Sequence, residues 1–218
     1  IRNLDEFLFS KSINLNSIIL TGNKLSLLSE QFENLKKLNN IYLSNNNLSI
    51  LKFLMSNTLI LHLRYSKIDF SNFYLFNNLT NLIDLDLSYN KLKSNILMKL
   101  NLTKLRNLKR LVLINVGLNS NDSIKFLDKF DFLEEIDLSE NEFRKDDGKF
   151  MLNSKILKIL KLRNCNLELI DQNFLDFSNF KELEYLDMSY NKIEILSDEV
   201  LFYLRNIQTL ILSHNNIS

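Results

Sequence analysis

The chain has 218 residues, 45% of them hydrophobic, so it is long enough to bury a substantial core. Its 27 basic and 26 acidic residues nearly balance, and this net charge of +1 gives no reason to expect nucleic acid or an anionic membrane as the main partner. A single cysteine excludes an intrachain disulfide, and no apolar run reaches the roughly 18 residues needed to span a bilayer.

One eleven-residue pattern, LxxLxLxxNxL, recurs along almost the whole chain. It follows residues 1–14, which we interpret as the tail of a preceding repeat or a cap. It begins at Leu15, Leu38, Thr58, Leu82, Leu108, Leu133, Leu157, Leu183 and Ile207. The eight steps cover 207 − 15 = 192 residues, a mean period of 24, which is typical of a solenoid. We predict one domain of nine repeats over residues 15–218, the last one truncated, in a chain that is itself a fragment.

The centre of each repeat alternates apolar and polar residues with period two, which predicts a short strand with one buried face. Residues at pattern positions four and six should point inward, and repetition in one direction should align the strands in one parallel sheet. The intervening segments should return over the convex side and close the core. Their apolar residues include Leu28, Phe32 and Leu35 in the first repeat and Phe174, Phe177 and Phe180 in the seventh.

Asparagine occupies pattern position nine in six repeats, where the chain turns away from the sheet. These residues are Asn23, Asn46, Asn90, Asn141, Asn191 and Asn215. A buried amide can both donate to and accept from neighbouring turns, which predicts a structural asparagine ladder. Ser66 and Cys165 are weaker substitutes at this position. Val116 can neither donate nor accept, so we expect an interruption at the fifth repeat.

These repeats resemble the leucine-rich-repeat superfamily across about residues 15–218. The segments 15–37 and 183–206 resemble its typical 24-residue class, which Toll-like receptors and chaoptin-like adhesion proteins share. The resemblance implies an α/β repeat solenoid, a curved horseshoe with a parallel sheet on its concave face and mixed helical and irregular convex segments. Three departures are a second repeat of only 20 residues, fifth and eighth repeats that start 26 residues after their predecessors, and the absence of cysteine-rich caps.

Pattern positions three, five, seven and eight should project outward from the sheet. On the second to fourth repeats they carry Tyr42, His62, Arg64, Tyr65 and Tyr89. Binding hot spots favour aromatic and arginine side chains, so these five residues are the candidate ligand-binding site. The alternative is that tyrosine, a good strand residue, simply covers the sheet.

Charges of alternating sign follow the same outward positions on neighbouring strands. Position three carries Asp84, Arg110 and Glu135, and position five carries Asp137, Lys161 and Asp187. Because adjacent strands lie about 4.8 Å apart, each row can neutralise itself internally, and we favour this over a surface patterned for a charged partner.

The sequence offers little for catalysis. Only His62 and His214 could act as imidazole bases, and by the pattern they lie six strands apart, about 29 Å. Cys165 falls on the inward position nine, which suits a structural thiol. Neither a metal-ligand spacing nor a phosphate loop is present, so we predict a protein that is not an enzyme and uses no cofactor.

We therefore expect a protein-binding module. The resemblance implies a part of a receptor or adhesion ectodomain, extracellular or on the cell surface, glycosylated, and acting in innate immunity and signal transduction. Its ligand would be a protein or another macromolecule bound on the concave face, with a dimer through the repeats as a further arrangement. The alternative is a cytoplasmic scaffold or regulatory subunit. Five N-x-Ser/Thr sequons do not decide between the two, because the motif discriminates weakly.

Overall fold

The computed structural model describes the chain except at residues 3, 6, 29–31, 33, 49, 52–54, 69–72, 93–99, 101, 119–129, 131, 144–151, 153, 171–174 and 176. Nine short strands form one parallel sheet in the order of the chain, as the sequence predicts. They are β1 (Ser17–Ile19), β2 (Asn40–Tyr42), β3 (Ile60–His62), β4 (Asp84–Asp86), β5 (Arg110–Val112), β6 (Glu135–Asp137), β7 (Ile159–Lys161), β8 (Tyr185–Asp187) and β9 (Thr209–Ile211).

The pairing of the strands keeps equivalent residues side by side. Leu61 lies opposite Leu85, and Leu85 lies opposite Leu111, so the inward residues of successive repeats stack on one another. Leu85 and Leu87 are fully buried, whereas Ile19 at the outward position five is exposed. The predicted inside–outside phase is confirmed, and the result is a leucine-rich-repeat solenoid in which each repeat completes the core of its neighbours.

The convex side is built from short elements. Two parallel strand pairs join Leu27–Leu28 with Ile50–Leu51, and Leu169–Ile170 with Ile195–Leu196. Turns of 3₁₀ helix occupy Phe73–Asn78, Leu102–Lys104 and Phe177–Asn179, and helix α1 spans Asp198–Tyr203. Phe32, Leu35, Phe177 and Phe180 are buried as predicted. Phe174 and the side chain of Leu28 lie outside the part of the chain that is described.

The asparagine ladder is present, and Asn141 shows how it works. Its Oδ1 accepts hydrogen bonds from the backbone N–H groups of Val116 and Leu118, both at 3.1 Å. Its Nδ2 donates to the carbonyls of Leu113 (2.7 Å) and Leu138 (2.8 Å). One buried side chain thus satisfies backbone groups in two successive repeats.

Turns that lack asparagine at position nine satisfy the corresponding backbone N–H groups with a backbone carbonyl. The residue after position nine has a positive φ in each of them: Lys67 (50°), Gly117 (80°) and Asn166 (60°). The position-nine carbonyl then accepts a hydrogen bond from the preceding repeat. The donors are Leu48 to Ser66 (2.8 Å), Leu92 to Val116 (3.2 Å) and Phe143 to Cys165 (3.1 Å). In an asparagine turn, the corresponding N–H donates to the side-chain oxygen, as Leu118 does to Asn141.

The predicted interruption at Val116 is therefore real for the side chain but not for the backbone. Ser66 and Cys165 still donate weakly through their side chains, to Leu43 and Leu138. Val116 cannot, yet its turn has the same form as the turns at Ser66 and Cys165. The form of the turn thus follows from the residue at position nine and not from the longer spacing near the fifth repeat.

Position seven alternates in step with position nine. Ser88 in the fourth repeat uses its hydroxyl to accept the N–H of Ile114 in the fifth, and the N–H of Ser88 donates to Asp86. Ser139 and Asp137 make the same pair of contacts in the sixth repeat. We call the second, fourth, sixth and eighth repeats the even repeats, and the third, fifth and seventh the odd repeats. The even repeats satisfy backbone groups with asparagine at position nine, and the second, fourth and sixth also do so with the serine hydroxyl at position seven. The odd repeats leave position seven free for other residues.

Candidate functional site

A chain of polar and charged side chains in close contact runs across the outward face of the sheet from β3 to β7. His62 Nε2 lies 3.2 Å from Asp84, although it is not aligned for a good hydrogen bond, and Arg110 contacts Asp84 at 3.0 Å. Arg110 also lies 3.2 Å from Glu135, which Lys161 contacts at 3.0 Å. The charges at position three are therefore satisfied within the protein, as we favoured from the sequence.

The carboxyl of Asp84 is the centre of this chain. Burial raises its pKa, but contact with His62 and the charge of Arg110 outweigh burial, and the net pKa lies below the ordinary value of 3.8. Asp84 is thus held ionised, and the ion pairs bind its negative charge to the protein itself.

The position-five row behaves differently from our expectation. Lys161 pairs with Glu135 at position three, and Asp137 and Asp187 instead accept the N–H groups of Ser139 (3.0 Å) and Ser189 (2.9 Å). Each aspartate therefore accepts a hydrogen bond at the end of its own strand and forms no lateral ion pair with Lys161, because the hydrogen bond satisfies a backbone group. Burial raises the pKa of Asp137 despite the hydrogen bonds from Ser139.

The residues at position eight form a row along the sheet edge, immediately beyond the strands. Each has a left-handed backbone: Gly22, Asn45, Tyr65, Tyr89, Asn115, Glu140, Asn164, Tyr190 and His214. Glycine and asparagine adopt this conformation readily, whereas tyrosine does so at a cost of about 1–2 kcal/mol. Tyr65 and Tyr89 therefore project from the edge of the sheet and not from its face.

The five predicted site residues separate into two groups. Tyr42 and His62, at the ends of β2 and β3, meet edge to face with ring centroids 4.9 Å apart on the face of the sheet. Arg64, Tyr65 and Tyr89 meet at its edge. The tyrosine rings stack with centroids 4.2 Å apart, and the Arg64 guanidinium lies 4.5 Å from the Tyr89 ring. The second group is a preformed arrangement of aromatic and cationic side chains.

Tyr89 is further held by a distant residue. Its hydroxyl donates a 2.8 Å hydrogen bond to Glu140, two repeats along the solenoid. Burial and this carboxylate raise the pKa of Tyr89 to about 12, so the phenol stays protonated and keeps donating. Tyr65 is 47% exposed, so about half of its surface faces solvent.

A second group of the same kind lies near the other end of the sheet, and its residues are not among those predicted from the sequence. The Arg163 guanidinium lies 3.9 Å from the Tyr190 ring centroid and donates to Ser189 at 3.1 Å. Tyr190 in turn stacks on His214, with centroids 4.1 Å apart. The signal was available, because Arg163 stands at position seven and Tyr190 at position eight of the next repeat, as Arg64 and Tyr89 do.

A shallow polar groove of about 250 Å³ lies along the same edge, between the sixth and eighth repeats. Glu140, Glu142, Asn164, Tyr190 and Lys192 contribute to its lining. Tyr190 belongs to the second arginine–aromatic group, and Glu140 is the residue that accepts the hydrogen bond of the Tyr89 hydroxyl. The groove therefore borders the second group and shares one residue, Glu140, with the surroundings of the first.

The cysteine and the two histidines each pack against other residues of the repeats. Cys165 is fully buried, and burial raises the pKa of its thiol to about 12, so it is a structural thiol at neutral pH. His62 lies against Asp84 on the outward face of the sheet, and His214 stacks on Tyr190. Among the described residues, no three His, Cys, Asp or Glu side chains are grouped to hold a metal ion. Within the same residues, none of the helices has the length and apolar character needed to cross a membrane.

Comparison with known proteins agrees with the geometry. Residues 155–217 match the family model described as leucine rich repeat. Among solved structures, TLR13 in its complex with ssRNA13 has a TM-score of 0.75 and 24% identity, covering 100% of this chain and 36% of that one. The Drosophila Toll–Spatzle complex has a TM-score of 0.78 and 21% identity, covering 99% and 29%.

The mouse RP105/MD-1 complex also matches, with a TM-score of 0.67 and 22% identity over 93% of this chain and 38% of that one. No curated protein sequence matches. The chain spans about a third of the length of the first two structures. Identities this low show the shared fold, and the fold alone does not fix a ligand.

Proposed function

Because the chain is a leucine-rich-repeat solenoid that resembles Toll-like receptors, we propose that it is a protein-binding module within a receptor or adhesion ectodomain. It recognises a protein or other macromolecular ligand on the concave face and the adjoining edge of its sheet. Tyr42, His62, Arg64, Tyr65 and Tyr89 form the contact site. The solved structures of the same fold include complexes with Spatzle, MD-1 and ssRNA, which supports a role in macromolecular recognition.

The observation that carries this proposal is the stack of Arg64, Tyr65 and Tyr89. Two tyrosines occupy a strained backbone conformation for which four other repeats use asparagine or glycine. Their rings are ordered before any ligand arrives, by stacking and by Glu140. Ordered aromatic and arginine side chains lose little entropy on binding, which is what makes them effective anchors.

Replacing Tyr65 and Tyr89 together with asparagine tests the proposal without threatening the fold. Asparagine is the residue that this chain itself places at the same position in Asn45, Asn115 and Asn164. We expect the double variant to fold with nearly unchanged stability and to bind the natural partner at least 30-fold more weakly, about 2 kcal/mol, the usual threshold for a hot spot.

Phe202→Ala is the matched control. Phe202 is an exposed aromatic on helix α1, on the convex side, and the Arg205 guanidinium lies 4.0 Å from its ring. It should leave binding unchanged in the same pull-down and titration. If the control weakens binding and the tyrosine pair does not, the partner binds the convex side, and the site proposed here is wrong.

The alternative function is a cytoplasmic scaffold or regulatory subunit, for which the same exposed edge would dock another protein. Location separates the two. An antibody against this chain should label intact, unpermeabilised cells if the chain belongs to an ectodomain. Labelling only after permeabilisation would favour the scaffold.

A further inference from the structure

Arginine residues on the outward side of this sheet fall into two classes. Arg110 contacts two carboxylates, Asp84 and Glu135, so its charge is neutralised in place. Within the part of the chain that is described, Arg64 and Arg163 contact no carboxylate and instead lie against tyrosine rings. A guanidinium that lies over an aromatic ring leaves N–H groups along its rim available, and this rim matches a carboxylate in a forked, two-bond geometry. Arg163 uses one of these N–H groups on the Ser189 hydroxyl at 3.1 Å, which leaves its other N–H groups for a ligand.

Arg64 and Arg163 are equivalent positions of the solenoid. Both stand at position seven of an odd repeat, and both donate their backbone N–H to the serine hydroxyl of the preceding even repeat, at 3.2 and 3.3 Å. The fifth repeat places Ile114 at the same position, with the same bond to Ser88 at 3.1 Å. The odd repeats thus present Arg64, Ile114 and Arg163 in one line across the sheet.

The spacing of this line is set by the sheet. Successive odd repeats are two strands apart, about 9.6 Å, so the two arginines are roughly 19 Å apart with the isoleucine midway. A polyproline II segment has three residues per turn and rises about 3.1 Å per residue. Its residues i, i+3 and i+6 therefore share one face and span roughly 19 Å, which matches this line.

We propose that this line of odd-repeat residues binds an extended acidic peptide segment of a partner protein. Its carboxylates at i and i+6 contact Arg64 and Arg163, and its apolar residue at i+3 packs on Ile114. The inference rests on the proposed function and specifies the chemistry of its partner.

Discrete carboxylates fit this surface better than a polyphosphate chain does. Asp86, Asp137 and Asp187 lie on the strands between and beside the two arginines and would repel closely spaced phosphates. The inner faces of the stacked rings are also closed, since Tyr65 and Tyr89 are 4.2 Å apart and Tyr190 and His214 are 4.1 Å apart, which leaves no gap for a base between them.

The test is selection from a display library of random nine-residue peptides on the 218-residue chain. Selected peptides should be enriched in pairs of acidic residues six positions apart with an apolar residue midway. The peptide Asp-Pro-Pro-Leu-Pro-Pro-Asp, made with free and with amidated side chains, then serves as a defined probe. Replacing one Asp with Asn should weaken binding about 5- to 10-fold, and replacing both should weaken it at least 25-fold, as expected for charge-assisted bonds.

Variants of the chain decide whether these two arginines are responsible. Arg64→Gln and Arg163→Gln should each abolish the preference for one carboxylate, so that the Asp and Asn forms at that end bind equally. Arg205→Gln is the matched control, an arginine over an aromatic ring on the convex side, and should change nothing. Folding of each variant is checked by its thermal melting curve.

Three results would overturn the inference. The first is that the selected peptides show no enrichment in acidic residues, and the second is that their acidic pairs have a spacing other than six. The third is that single-stranded polyuridine binds more tightly than the peptide and displaces it. If Tyr65→Asn/Tyr89→Asn weakens natural-partner binding while the arginine variants do not, the proposed function stands and this inference alone fails. If neither set weakens it, both fail.

Discussion

Even and odd repeats form the same strand and the same kind of turn with different atoms. In the sixth repeat, Asp137, Ser139 and Asn141 all direct their side chains to backbone groups. In the seventh, the left-handed conformation of Asn166 turns the Cys165 carbonyl toward the preceding repeat, and Arg163 is free to lie on the surface. The difference shows that a repeat protein can leave surface positions open to varied residues in every second unit because the other units supply the missing hydrogen bonds.

The largest expected effect comes from the core that both kinds of repeat share. Leu87→Ala removes a fully buried side chain and should lower the free energy of unfolding by about 2–5 kcal/mol. Tyr89→Ala, two residues later at the sheet edge, should cost far less, because it loses mainly one stacking contact and one partly buried hydrogen bond. Urea titrations of the two variants check this, and equal losses would contradict the phase of the repeat.

A smaller effect on the free energy of unfolding distinguishes asparagine at position nine from the other residues found there. Asn141→Ala leaves two buried N–H groups and two carbonyls without the partner they had and should cost about 2–4 kcal/mol. Cys165→Ala loses only weak sulfur contacts and a small buried volume and should cost about 1 kcal/mol. The same titration measures both. A cost for Cys165→Ala as large as that for Asn141→Ala would mean that the odd turns also depend on their side chains.

Val116→Asn introduces into the turn of an odd repeat the asparagine that the even repeats carry at position nine. From the sequence, the change should be neutral or stabilising if this turn follows the asparagine turns, and costly if its shape differs. The structure gives a different shape, because the Val116 carbonyl already accepts the Leu92 N–H and Gly117 has a φ of 80°. We therefore expect a loss of about 1–2 kcal/mol from a buried amide without full partners.

Val116→Cys is the matched control for that substitution. It introduces the residue that the seventh repeat uses and should change the melting temperature little. A rise in melting temperature for Val116→Asn would show that the peptide between residues 116 and 117 can rotate to the asparagine form.

The smallest effects concern two aspartates with opposite pKa shifts. The pKa of Asp84 is lower in the folded protein than its unfolded value of 3.8. Asp84 therefore stabilises the fold at pH values above 3.8, and this contribution is lost as the pH falls through the folded pKa. Asp84→Asn should therefore cost about 1 kcal/mol near pH 7, and the difference from the wild type should close in acid.

The pKa shift of Asp137 has the opposite sign. Its folded pKa is raised, so protonation stabilises the fold in acid, and stability falls as the pH rises from 3.8 through the folded pKa. Asp137→Asn keeps an oxygen for the Ser139 N–H and removes the buried charge, so it should be neutral or stabilising by up to about 1 kcal/mol at pH 7. Unfolding titrations at pH 3, 5 and 7 compare the two variants. A loss for Asp137→Asn at pH 7 that matches Asp84→Asn would contradict the burial of this carboxylate.

The sequence alone determined the repeat, the nine parallel strands, the inward leucines and the asparagine ladder. These features follow from a period that is visible in the chain, because a strand fixes which side of it every second residue occupies. It also placed the outward residues at their positions, including Tyr190 and His214, which were on the same row as Tyr65 and Tyr89.

Only the tertiary structure decided which outward residues meet. Contacts between side chains about 24 residues apart depend on rotamers and on the backbone of two turns at once, and no local pattern encodes them. Lys161 therefore pairs with Glu135 and not with its neighbours in position five. The left-handed backbone carries Tyr65 and Tyr89 from the face to the edge of the sheet. Among the described residues, Arg64 and Arg163 contact no carboxylate for the same reason, because the tyrosine ring that each guanidinium meets comes from the next repeat.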